Sequence, residues 1–87
     1  MTMNDFDRDW HSGVEISLGE IGSYHIVSST REAALFLIES WPVRRGNAYA
    51  RALKACLDVI TDEETDEVAR TAFIAAAEEA RIAVHRH

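Results

Sequence analysis

The spacing of apolar residues changes at Ser29, and that change limits the chain to a mixture of strands and helices. Before it, Val14, Ile16 and Leu18 alternate with Glu15 and Ser17, and Tyr24, Ile26 and Val27 follow in SYHIVS. Alternation is the period of a strand with one buried face, and the second stretch is rich in β-formers. GEIG (19–22) supplies two glycines between them, so a hairpin is predicted. After Ser29, the residues Ala34, Leu37, Ile38 and Trp41 fall at i, i+3, i+4 and i+7, the single stripe of an amphipathic helix. Ser29 with Glu32 three residues on is the pairing that satisfies the first free amides of a helix in both directions. Pro42 disfavours helical geometry at Trp41 and ends this helix there.

A second helix is predicted from Gly46 and Asn47, with Tyr49, Ala52, Leu53, Cys56, Leu57 and Ile60 inward and Arg51, Lys54 and Asp58 outward. A third follows TDEETDE, where Thr61 and Thr65 are both credible caps and the acids suit the positive end of the helix dipole. Its inward side is Val68, Ala69, Ala72, Phe73, Ala76 and Ala80, and small residues there imply close approach to a neighbouring helix. In IAVH alternation returns, with Ile82 and Val84 on one side, and a short closing strand added to the hairpin is expected; a frayed helix end is the rival reading. The order β-β-α-α-α-β then makes a two-layer α+β domain, three helices packed on one face of a small antiparallel sheet.

With 87 residues there is room for one core. Residues 1–9 read as a flexible tail with Phe6 as its one anchor, and 10–87 as a single globular domain. An apolar share of 47% and a charged share of 28% place the chain with soluble globular proteins, away from disordered ones. The longest apolar runs, Ala33–Ile38 and Ala72–Ala77, are too short to span a bilayer. The polar, acidic opening MTMNDFDRD has no leader character, so a cytoplasmic location and no membrane partner are expected. The single Cys56 cannot form an internal disulfide.

The stretch WPVRRGNAYARALKAC, followed by EVARTAFIAAAEEARIAV, resembles a family of small alphaproteobacterial proteins known as domain of unknown function 982. The resemblance runs over roughly residues 10–85. It rests on Trp41, Pro42, Gly46, Ala52 and Cys56, then on Ala69, Arg70, Phe73, Ile74, Ala76, Ala77 and Glu79. Arg81 departs from the family pattern, which has a glycine ending the last helix. The resemblance implies one small domain and carries no activity with it.

WPVRRGNAY is the segment where a binding site is weighed first. An anion pocket would use the free amides at the start of the second helix, at Gly46 and Asn47. Arg44 and Arg45 would add charge-assisted contacts, Arg51 could join them, and Trp41 would form an aromatic wall. The plainer reading is a helix connector: Trp41 is a core anchor, Pro42 a stop and Gly46 a turn, with the arginines on nearby carbonyls or Glu39. A helix-turn-helix with Asn47, Arg51 and Lys54 on a recognition helix is opposed by the net charge of −6 and by few outward cations. His25, His85 and His87 would make a zinc site only if the terminal strand brought them together, and no carboxylate or cysteine is placed to complete the shell. The acids Asp62, Glu63, Glu64, Asp66 and Glu67 lack the glycine turn of a calcium loop and read as a solvated helix start, a counter-surface for a basic partner. Cys56 on a buried stripe reads as inert packing, no serine sits in a nucleophile elbow, and no glycine loop cradles phosphate. No enzyme, cofactor or metal is expected. The leading expectation is a protein-interaction module, self-association included, with small-anion binding at the helix junction second and nucleic-acid binding third.

Overall fold

The computed structural model describes residues 9–17 and 24–86. Its elements run β1 (Asp9–Ser17), β2 (Tyr24–Ser29), α1 (Thr30–Glu39), α2 (Asn47–Ile60), α3 (Asp66–Glu79) and β3 (Ala83–Arg86). This is the α+β order that the periodicity predicts, closing strand included. Of the tail predicted at 1–9, Asp9 belongs to β1, and residues 1–8 with Phe6 lie outside the described residues, as do Leu18, the glycine turn expected at 19–22, Ser23 and His87. β1 is central in the sheet, in the order β2-β1-β3, and both its pairings are antiparallel. It opens at Asp9, well before the alternating stretch, and its pairing to β2 is irregular between Asp9 and Val14. There Arg70 Nε of α3 donates to Ser12 O at 3.0 Å, which ties a helix to the irregular stretch.

Cross-strand partners share a face. Val14 pairs with Val27, and Ile16 with both His25 and Val84, on the side that the helices cover; Val14, Ile16 and Val27 are buried there. Glu15 pairs with Ile26 and His85, and Ser17 with Tyr24 and Ala83, on the side no helix covers. In the core the rings stack in series. Trp41 meets Phe73 at 5.4 Å and Phe36 edge-on at 6.2 Å, while Phe73 also meets Trp10 at 5.9 Å. Trp10 Nε1 donates to the buried Thr30 hydroxyl at 3.0 Å, and that hydroxyl donates to Asp66 Oδ1 at 2.6 Å. One threonine thus joins the starts of β1, α1 and α3, and none of these polar atoms is buried without a partner.

The helices are rotated from their predicted phase. Ile38, Leu57, Ile60 and Val68 are exposed, whereas Ala33, Ala55, Val59, Ile74 and Ala77 are buried. In α2 the buried face runs through Tyr49, Ala52, Ala55, Cys56 and Val59. Alanine at 52 and 55 lets α2 close onto the alanines of α3, and that contact turns Leu57 and Ile60 out to solvent. Thr65 is the cap of α3, its hydroxyl accepting from Val68 N, whereas Thr61 ends α2 and bonds back to Leu57 O and Asp58 O.

Both helices end in the same closure. Asp62 N bonds to Val59 O and Glu63 N to Asp58 O; Arg81 N bonds to Glu78 O and Ile82 N to Ala77 O. This paired pattern needs a left-handed residue just past the helix, usually glycine. Asp62 and Arg81 occupy it at φ 65 and 62. The α3 helix therefore stops at Arg81, with a side chain held in a conformation that disfavours one.

Candidate functional site

The connector between α1 and α2 follows from its residues. Ser29 caps α1 through Glu32 N, and Glu32 returns a carboxylate to the amide and hydroxyl of Ser28, one residue earlier than the usual reciprocal pair. The far end closes with Ser40 N on Phe36 O, and Trp41 then drops into the core, 3% exposed. Trp41 is thus the anchor of the plainer reading and offers no aromatic wall to a ligand. Its Nε1 is buried without a partner among the described residues. Arg44, Arg45 and Arg51 stand exposed, and none pairs with Glu39 or with another described residue.

At the start of α2 an anion is already in place. The carboxylate of Glu79, from the last turn of α3, accepts from Ala48 N at 3.0 Å and from Tyr49 N at 3.2 Å. Gly46, at φ 111, lets the carboxylate approach; a Cβ there would run into it, with Glu79 Cδ 2.8 Å away. Tyr49 locks the same turn to α1 by donating its hydroxyl to Leu37 O at 3.1 Å. The chain's own acid therefore engages the two amides that follow those of Gly46 and Asn47, and of the sequence-predicted site residues Gly46 is part of this clasp while Trp41 belongs to the core.

Sequence reasoning missed Glu79 as the clasp, although two local irregularities point to it. α3 has no basic residue in its last turn and two acids there, where the dipole favours cations. α2 has neither an acid in its first turn nor a side-chain cap, where both are favoured. α3 carries the acid that α2 lacks.

Burial pushes the Cys56 thiol up to about 12, with the charge of Asp66 adding to it, so the thiolate is scarce at neutral pH. His25 packs edge-on against Phe36 at 5.0 Å on the helix side, while His85 pairs with Glu15 on the other face. The zinc alternative, which placed these imidazoles together, is corrected by that register. Among the described residues no helix is long and apolar enough to cross a membrane.

The second candidate is the β2 edge. β2 carries YHIVSS, with no lysine or proline, and Tyr24 and Ile26 are 61% and 63% exposed. The opposite edge, β3, is shorter and carries AVHR. Between β2 and α1 lies an open groove of about 260 Å³, with residues 25–27 on one wall and Leu35 and Phe36 on the other. Consecutive strand residues line it, so it follows the edge of the strand rather than one face.

No curated protein and no solved structure matches the chain significantly. The family described as "Protein of unknown function (DUF982)" matches residues 12–84, a span that takes in Phe36, Trp41 and Phe73 of the core, the junction and Glu79. The chain therefore belongs to the DUF982 family.

Proposed function

We propose that this chain is a non-enzymatic protein-interaction module of the cytoplasm that works by accepting a strand at the β2 edge. The observation that carries the reading is the contrast between the two sheet edges. An unpaired strand is a template for another chain, and proteins blunt it with charge, proline or brevity. β3 has four residues, whereas β2 has six, is uncharged but for His25, and carries the exposed Tyr24 and Ile26. Strand addition supplies main-chain hydrogen bonds, and the adjacent groove supplies side-chain seats. The occupant can be a second copy or another protein. The small-anion alternative at Arg44, Arg45 and Asn47 draws less support, because Glu79 takes the amides of Ala48 and Tyr49. Nucleic-acid binding draws less still, given a net charge of −6 and a Lys54 ammonium held by Asp58 at 2.8 Å.

The test is a photo-crosslinking amino acid at Tyr24, with one at exposed Thr71 of α3 as control, in intact cells. Adducts at position 24 that disappear in Ile26→Lys support the reading, and their mass separates a second copy from another protein. Adducts that ignore Ile26→Lys, or that form only at position 71, overturn it.

A further inference from the structure

The β2-edge reading leaves the occupant open, and the charges around the groove decide it. Glu32 and Glu39 of α1 line the groove together with Leu35 and Phe36, and no lysine or arginine does. The two acids are seven residues apart on one helix, about 10 Å along its axis. Leu35 lies between them and is itself exposed. Glu32 uses Oε1 for both the amide and the hydroxyl of Ser28, which leaves Oε2 for another donor. Glu39 has no ion-pair partner among the described residues.

The backbone of β2 points the same way. Ser28 N turns to Glu32. In a strand every second amide points to the same side, so those of Ile26 and Tyr24 are directed outward along the edge. A second copy paired through β2 would bring YHIVSS to this groove, a strand without lysine or arginine, and would set identical acidic rims together between chains of net charge −6; one paired through β3 would bring AVHR, four residues with a single arginine for two acids.

We propose that the groove between β2 and α1 takes an extended basic segment of another protein, paired to β2, with an apolar side chain seated on Leu35 and Phe36. A lysine or arginine two residues to either side of it, which in a strand shares its face, meets Glu32 and Glu39. Partners with acidic flanks are excluded by the same charges that select basic ones. This proposal rests on the reading of β2 as the interaction edge.

Its test titrates the isotope-labelled full chain with two synthetic peptides of equal length, one repeating Lys-Thr-Val-Thr, so that Val and Lys share a strand face, and one with Glu in place of Lys. The lysine peptide is expected to shift the amide signals of residues 24–27, 35 and 36 and to weaken with added salt, while the glutamate peptide leaves them in place. Glu39→Lys, at an exposed position whose new cation suits the end of α1, should weaken the lysine peptide about tenfold. Three results overturn the proposal: equal response to both peptides, no response to either, or shifts centred on His11 and Glu67 in the acidic cleft beside Trp10. If Ile26-dependent adducts persist at position 24 while the lysine peptide is silent, the basic partner is wrong and the edge reading stands. If both fail, both fall.

Discussion

Gly46 and Glu79 give the sharpest test of the junction. Glu79→Ala removes two charge-assisted hydrogen bonds at the positive end of α2. A capping side chain of this kind is worth about 1 kcal/mol. Against that, removing an acid from the last turn of α3 recovers a few tenths of a kcal/mol of unfavourable dipole interaction. The net loss is about 1 kcal/mol, which in a domain of this size lowers Tm by roughly 4–8 °C. Gly46→Ala faces two penalties. With φ 111 and ψ 156 the backbone is in a region nearly restricted to glycine, at a cost of about 1–3 kcal/mol for another residue. The new Cβ also evicts the Glu79 carboxylate, so the capping bonds are lost as well and the total reaches about 2–4 kcal/mol. In the double variant the clasp is lost only once, and the two single costs should exceed the double by about 1 kcal/mol. Urea unfolding of the four proteins measures this coupling. Additivity within about 0.3 kcal/mol would refute the reasoning, because it would mean that the two residues do not share one interaction.

Two further predictions concern stability. Arg81→Gly should raise the unfolding free energy by about 0.5–1 kcal/mol, because it relieves a left-handed side-chain residue while adding unfolded-state entropy; a lowered Tm would contradict the closure described for α3. Cys56 should make stability fall with alkaline pH. Its thiol is raised in the folded chain from 9.0 to about 12, so the stabilising neutral form is fully present below pH 9 and its contribution is lost as pH rises through 12. Denaturation midpoints across that window should decline more steeply for the parent than for Cys56→Ala, and parallel slopes would remove the thiol from the account.

Element order was legible in the sequence because strand and helix periods differ, and the change at Ser29 is sharp. Helix phase was not. A stripe of apolar residues marks a broad sector of a helix, and which part goes inward depends on how closely its neighbour approaches. In α2, Ala55 and Val59 won the inward place over Leu57 and Ile60 because short side chains admit α3. The connector role of Trp41 and Gly46 was legible too, since both act through backbone geometry and burial. Glu79 was missed because its partners lie about thirty positions away, and local capping rules compare only neighbours. The residues that carry the family resemblance include Trp41 and Phe73, which stack, and Gly46 and Glu79, which clasp. Their roles here are architectural, and the β2 edge lies outside that set.

The clasp has a kinetic consequence. The first turn of α2 cannot be capped until the last turn of α3 has arrived, so α2 is not an independent nucleus at its own beginning. Hydrogen exchange at Ala48 and Tyr49 should then report the docking of α3 rather than local fraying, and these amides should open together with the end of α3 as one cooperative unit. The loop bearing Arg44 and Arg45 is fastened from the far end of the chain.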